Sequence, residues 1–248
     1  MTPSKFKAKL KGINELFEFG QFKAELIIMT KKLIIVDDHT MLRSGIKSWI
    51  ETHSDYKVAF EASSWSDCIK IEEELKKSDV KDDLIAIVDI SFKIEDGISL
   101  SSAKHEENCG FEIIRRFSLI GIPCIAFSSH DTGGFVEHAM SPAIGAKGYV
   151  SKNASENILL AALNAVSEGK TYVQAELITG LLEVVDITQT FTKKEKLVAD
   201  ALTIYNSNAD IAQKLGLSEK TVVNYLSIIY DKAGVANKIK FLEKMGRL

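Results

Sequence analysis

Five short apolar runs alternate with longer stretches of helical periodicity along the front of the chain. The runs lie near residues 32–36, 57–61, 84–88, 122–127 and 147–150, and the helical stretches near 39–52, 65–77, 110–119, 133–144 and 154–167. Leu33-Ile34-Ile35-Val36 and Ile85-Ala86-Ile87-Val88 are apolar throughout, as strands covered on both faces must be. Alternating βα units with right-handed crossovers predict an α/β fold with a doubly wound parallel sheet. In the second helix Asp67 helps to start the first turn, and Glu72-Glu73-Glu74 is expected to be a solvated face. The polar stretch from Ser91 to Cys109 predicts a long loop, a length usually reserved for function or disorder.

Beyond residue 192 the pattern is purely helical, with helices predicted near 192–204, 208–215, 218–232 and 236–245. Thr192 with Glu195 fits a capping box, and Ser218 with Thr221 fits its first half. Residues 174–185 predict a connecting helix and Ile187-Thr188-Gln189-Thr190 a short linker, which puts the domain boundary near 170–190. Within the tail, residues 208–222 read as helix, tight turn, helix. Gly216 supplies the turn, Ser218 caps the second helix, and Ile211, Leu215, Leu217, Val222 and Leu226 supply a small core. Such a unit is a helix-turn-helix, whose second helix enters the major groove of DNA.

Composition adds an asymmetry. The 248 residues are 46% hydrophobic and 26% charged, with a net charge of -3, which is globular and sized for one large or two ordinary domains. Residues 31–152 hold 15 basic and 20 acidic side chains, whereas residues 186–248 hold 10 basic and 7 acidic ones. An acidic body with a basic tail points the tail towards nucleic acid. Cys68, Cys109 and Cys124 lack CxxC spacing and are expected to be reduced thiols in a cytoplasmic protein. No apolar run approaches a membrane span, so no membrane partner is expected. Residues 1–28 carry Lys5, Lys7, Lys9 and Lys11 without a signal-peptide core, and Met29 directly precedes the first strand. They are read as an upstream-start artefact, with an extra amphipathic helix as the rival reading.

The strand ends carry the candidate chemistry. The first run leads into Asp37-Asp38 and the third into Asp89, and open parallel sheets bind ligands at the carboxyl ends of their strands. Three carboxylates gathered there would repel one another unless a cation joined them, and an all-oxygen set suits Mg²⁺. The rival reading is that the aspartates only cap the helices that follow. The fourth run ends at Ser128 and the fifth at Tyr149-Val150-Ser151-Lys152, so a hydroxyl and an ammonium reach the same edge. His39, His130 and His138 have no metal-ligand spacing and are expected to be non-ligands.

With Asp37-Asp38, Arg43, Gly45, Asp89, Ser128 and Tyr149-x-x-Lys152 in place, residues 32–168 resemble the receiver domain of two-component response regulators. The resemblance implies that Asp89 is the phosphoacceptor, taking a phosphoryl group from a sensor histidine kinase. It implies that Asp37, Asp38, Asp89 and the backbone of Ser91 hold Mg²⁺. It further implies that Lys152 pairs with the phosphoryl oxygens, and that Ser128 and Tyr149 rearrange to turn a local charge change into a surface change. The chain departs from the family at Lys93 and Thr40, where proline is usual. Asp96-Gly97 matches the family by position, yet Gly110-Phe111 starts the third helix better, which implies an insertion over Ser91–Cys109.

The helix-turn-helix, flanked by Phe191-Thr192-x-x-Glu195 and Lys232-Ala233-Gly234-Val235, resembles the LuxR/FixJ-type DNA-binding domain over residues 190–245. That resemblance puts Val223, Asn224 and Ser227 at base edges and Lys220, Thr221, Lys232 and Lys238 at phosphates. Val223 replaces a common lysine or arginine, where contact with a thymine methyl becomes the alternative, and Tyr205 replaces a common glycine. The expected organisation is an N-terminal extension at 1–29, a receiver at 30–168, a linker with a connecting helix at 169–190 and a LuxR-type domain at 191–248. The expected protein is a transcription factor that binds double-stranded promoter DNA as a homodimer when active. Three alternatives stay open: an orphan regulator acting without phosphorylation, a helical adaptor, and a Mg²⁺-dependent phosphohydrolase. The last is disfavoured because Ser91 stands where a second aspartate would act as general acid.

Overall fold

The computed structural model describes residues 31–77, 83–92 and 109–247. Residues 1–30, and Lys93, Asp96 and Gly97 in the expected insertion, lie outside the described residues. The parallel sheet comprises β1 Lys32–Val36, β2 Lys57–Ala62, β3 Leu84–Asp89, β4 Cys124–Ser128, β5 Gly148–Ser151 and β6 Tyr172–Val173, in the order β2-β1-β3-β4-β5-β6. Helices α1 Thr40–His53, α2 Trp65–Lys77, α3 Gly110–Leu119, α4 Gly133–Met140 and α5 Glu156–Ser167 connect the strands.

Strand alternation builds two cores, because successive side chains point to opposite faces. Leu33, Ile35, Ile85, Ile87, Ile125, Phe127 and Val150 pack against Ile46 and Ile50 of α1 and Leu159 and Leu163 of α5. Ile34, Val36, Ala86, Val88, Ala126 and Tyr149 pack against α2, α3 and α4, notably Trp65, Ile113, Phe117 and Phe135. From β1 the chain goes first to β2 on one side and then to β3 on the other, which opens a crevice at the carboxyl ends of β1 and β3. Val36 pairs with Val88, so Asp37 and Asp89 follow in adjacent positions at that crevice.

Four expectations change in detail. A sixth strand, β6, extends the sheet beyond the five expected: Tyr172 and Val173 register with Gly148 and Tyr149. Two residues are too few for a readable alternation. Helix α4 ends at Met140 rather than 144, because Pro142 pushes Ser141 into extended backbone, at φ -60 and ψ 152. The expected linker at 187–190 is instead the last turn of a helix, α6 Ile178–Gln189, capped at Thr190 and preceded by a 3₁₀ turn at Ala175–Leu177. Glu72 is not on a solvated face. It is 4% exposed and pairs with Arg116 of α3 at 2.6 Å and with Lys76 at 2.5 Å, a long-range partnership that no local pattern announces.

The C-terminal unit comprises α7 Lys193–Ile204, α8 Asn208–Leu215, α9 Glu219–Ala233 and α10 Lys238–Lys244. Val198, Leu202, Ile211, Val222, Leu226, Ile229 and Phe241 form its core, with Leu215 and Leu217 packed at its margin. The capping box at α7 forms both bonds, Glu195 N–H to Thr192 Oγ1 at 3.3 Å and Thr192 N–H to Glu195 Oε2 at 2.7 Å. Gly216 closes α8 in the left-handed region at φ 64, and Ser218 caps α9 by accepting from the Thr221 amide at 3.1 Å. Helix α6 serves both units: its Leu181, with Leu177 of the preceding turn, joins the α2–α3–α4 core, while Val184 and Ile187 join the C-terminal core. Among the described residues no helix is long and apolar enough to cross a membrane.

Candidate functional site

The carboxyl edge of the sheet gathers the expected side chains. Asp37 and Asp89 are buried, with 2% and 1% exposure, and Asp38 is half-buried beside them. One potential ligand atom from each of Asp37, Asp38, His39 and Asp89 lies within 4.8 Å of the others. The carboxylates suit Mg²⁺, which binds one or two carboxylates while keeping several waters. Lys152 spans two of them, with Nζ 2.8 Å from Asp37 Oδ2 and 2.8 Å from Asp89 Oδ2. Burial raises the pKa of Asp89, as does repulsion from Asp37, and the Lys152 ammonium offsets only part of this. Burial alone would lower the pKa of Lys152, but its hydrogen bonds to Asp37 and Asp89 outweigh that and raise it.

Backbone groups fix the aspartates. The Ser91 amide donates to Asp89 Oδ1 at 2.9 Å, and the His39 amide donates to Asp37 Oδ1 at 2.7 Å. Arg43, a turn into α1, donates to the Asp37 carbonyl at 2.6 Å, so the arginine orders the acidic turn. His39, expected to be a bystander, has Nδ1 2.8 Å from Asp38 Oδ1 and 3.2 Å from Asp37 Oδ1. Sequence reasoning lacked a spacing rule for it because it reaches the pocket through neighbouring residues.

Ser128 and Tyr149 meet on the backbone of one residue, His130. The His130 amide donates to Ser128 Oγ at 3.0 Å, and the Tyr149 hydroxyl donates to the His130 carbonyl at 2.6 Å. Tyr149 is fully buried, and burial pushes its hydroxyl pKa up, so it stays a donor. The His130 ring stacks on Phe135 of α4, with centroids 4.1 Å apart and planes 3° apart. Both switch candidates therefore grip the segment leading into α4. His130 was not singled out from the sequence for this role, since its part is played by its backbone.

The helix-turn-helix sorts its candidates into two groups. Lys220, Val223, Asn224 and Ser227 lie exposed along α9, Val223 at 49%. Thr221 is half-buried, its hydroxyl 2.7 Å from that of Ser218. Lys232 instead ties the domain together, reaching Glu195 Oε2 at 2.7 Å and the Thr190 carbonyl at 2.8 Å. Lys238 donates to the Tyr205 carbonyl at 2.7 Å, which holds the end of α7 where a glycine would otherwise be usual.

Two family descriptions match the chain. "Response regulator receiver domain" matches residues 33–164, and "Bacterial regulatory proteins, luxR family" matches residues 189–243. The transcriptional regulatory protein YdfI of Bacillus subtilis is 28% identical over 156 residues, covering 62% of this chain and 62% of that protein. The chain thus spans about 62% of the length of that relative. UhpA of Salmonella typhimurium is 28% identical over 168 residues, covering 68% of this chain and 74% of that protein. Among solved structures, RcsB of Salmonella enterica serovar Typhimurium, bound to a promoter in the presence of phosphomimetic BeF3-, aligns at a TM-score of 0.59. It is 21% identical over 88% of this chain and 98% of that one, a likeness of fold.

Proposed function

This chain belongs to the response regulators, joining a receiver domain to a luxR-family helix-turn-helix domain, and we propose that Asp89 is its phosphoacceptor and α9 its DNA-reading helix. The observation that carries the reading is the buried pair Asp37 and Asp89 bridged by Lys152 at the carboxyl ends of β1 and β3. An Asp89 carboxylate oxygen would attack the phosphorus of a phosphohistidine on a sensor kinase. A P–O bond forms, the P–N bond breaks, and the histidine nitrogen keeps the electron pair. Mg²⁺ held by Asp37, Asp38 and Asp89, with the backbone at Ser91, would neutralise charge on the transferring group. Lys152 is placed to leave Asp89 Oδ2 for the phosphoryl oxygens while its ammonium keeps its bond to Asp37.

Ser128 Oγ, now held by the His130 amide, is the hydroxyl placed to bond the new phosphate. Its departure would free the amide of His130, the residue whose carbonyl Tyr149 holds. The readout is promoter binding by a homodimer. Lys220, Val223, Asn224 and Ser227 supply the exposed face of α9 that would enter the major groove. Adding beryllofluoride with Mg²⁺ to the wild type and to Asp89→Asn tests the reading. It requires an adduct on the wild type alone, and an equal adduct on both would end it.

A further inference from the structure

We propose that Gln174, just after β6, is a positioning residue for the reaction at Asp89: its side chain completes the sheet beside Ser151 and so sets where Lys152 presents its ammonium. Strand β6 has only two residues, and its ladder to β5 ends early. The Tyr172 amide donates to the Lys147 carbonyl at 2.9 Å, and the Gln174 amide donates to the Tyr149 carbonyl at 3.1 Å. The next rung needs an acceptor for the Ser151 amide. The Gln174 carbonyl serves the following turn instead, accepting from the Leu177 amide at 3.0 Å where the chain enters the 3₁₀ turn before α6. The side chain fills the rung: Gln174 Oε1 accepts from the Ser151 amide at 2.9 Å.

Burial makes this bond obligatory. Ser151 and Gln174 are both buried, so a Ser151 amide without Oε1 would be cut off from water as well as from the sheet. The other polar groups of Ser151 build the turn that follows. Its hydroxyl accepts from the Asn153 amide at 3.2 Å and its carbonyl from the Ala154 amide at 3.0 Å. Lys152 lies inside that turn, and its own amide donates to the Ser128 carbonyl of β4 at 2.7 Å. The backbone that carries the lysine is thus held from both sides, by Ser128 towards β4 and by Gln174 towards β6. Of the two holds, only that of Gln174 is made by a side chain.

Placement matters because Lys152 Nζ meets two carboxylates at once, each at 2.8 Å. A misplacement of about 1 Å at a reacting group can cost about a hundredfold in rate. Without Oε1 the Ser151 amide would turn towards another partner and carry the root of Lys152 with it. The carboxylates would stay, since the Ser91 amide holds Asp89 and the His39 amide holds Asp37. The loss would therefore fall on the phosphoryl oxygens that Lys152 is placed to meet, and not on Mg²⁺, for which the carboxylates are the ligands. That consequence rests on the phosphoacceptor reading above; the positioning of Lys152 in the resting protein does not.

Two readings on the full-length chain test this. One is the rate at which an amine-acylating reagent modifies Lys152, followed by peptide mass spectrometry; the other is the affinity for beryllofluoride at saturating Mg²⁺. Gln174→Met keeps the length of the side chain and removes the acceptor. It is expected to speed acylation of Lys152 and to weaken beryllofluoride binding about tenfold, with Mg²⁺ bound no less tightly. Gln174→Glu keeps an acceptor oxygen at the same reach and is expected to restore both readings. Tyr56→Phe removes a hydrogen bond to Asn164 elsewhere in the receiver, controls for lost stability, and should change neither. Wild-type acylation in Gln174→Met would overturn the proposal, as would a failure of Gln174→Glu to restore it. Faster acylation with unchanged beryllofluoride affinity, or with an equal loss of Mg²⁺ affinity, would overturn the link to the phosphoryl group. No adduct on the wild type would count against the phosphoacceptor reading instead, and the acylation rates would still decide whether Gln174 places Lys152.

Discussion

The Lys152 ammonium lies 2.8 Å from Oδ2 of Asp89, a carboxylate with only 1% of its surface exposed. The lysine also reaches Asp37, so one cation balances two buried anions. Removing one partner from such a set costs about 3–5 kcal/mol, because the charge left behind stays desolvated. Lys152→Met is therefore expected to lower the melting temperature in the absence of divalent ions and to gain more from added Mg²⁺ than the wild type does. Thermal melts with and without Mg²⁺ check this, and an equal Mg²⁺ increment in both proteins would count against it.

Tyr149→Phe keeps the ring and removes the donor to the His130 carbonyl. The loss should cost about 1 kcal/mol in denaturant titration, the net worth of one neutral hydrogen bond. Adduct formation at Asp89 should be unchanged, since the hydroxyl points to the α4 side and not at the carboxylates. A variant that no longer forms the adduct would show Tyr149 to be part of the pocket itself.

Glu72 gives the receiver an acid-sensitive joint. Burial alone would raise its pKa, and the bonds from Lys76 and Arg116 overcome that and hold it below the ordinary carboxylate value. The folded state then binds fewer protons than the unfolded chain. The stability it contributes is present above the unfolded pKa and is lost as pH falls through the lower folded value. Glu72→Gln should lose about 1–3 kcal/mol near neutrality and show a flatter decline on acidification than the wild type. Parallel acid limbs in the two proteins would assign the acid sensitivity elsewhere.

The lysines of the tail should separate by salt dependence. Lys220 is exposed at the start of α9, whereas Lys232 is bound to Glu195 and Thr190. Lys220→Ala is expected to reduce the slope of log affinity for duplex DNA against log salt by about 0.9, the mark of one phosphate contact. Lys232→Ala should chiefly lower the stability of the C-terminal domain. An unchanged slope for Lys220→Ala would remove it from the interface.

Much of the site is legible because its logic is local. Strand ends in a parallel sheet share an edge, so reading where each apolar run stops is enough to bring Asp37, Asp89, Ser128 and Lys152 together. The caps of α7 and α9 are likewise spelled within four residues, as Thr192–Glu195 and Ser218–Thr221. Glu72 is illegible for the opposite reason: its partner Arg116 lies 44 residues away, and only the packing of α2 on α3 makes the pair. Lys232 likewise looks like a phosphate ligand until the fold sets Glu195, 37 residues earlier, against it.

By itself, then, the chain's pattern determined a parallel α/β body with an acidic strand edge and a helix-turn-helix tail, since periodicity and strand termini are properties of neighbouring residues. Tertiary structure alone decided which charges are spent inside the fold, that α6 belongs to both cores, and why Gly133 and Gly134 are glycine. Those depend on the approach of backbones distant in sequence, Gly180 and Gly246, and a sequence records such an approach only as a missing side chain.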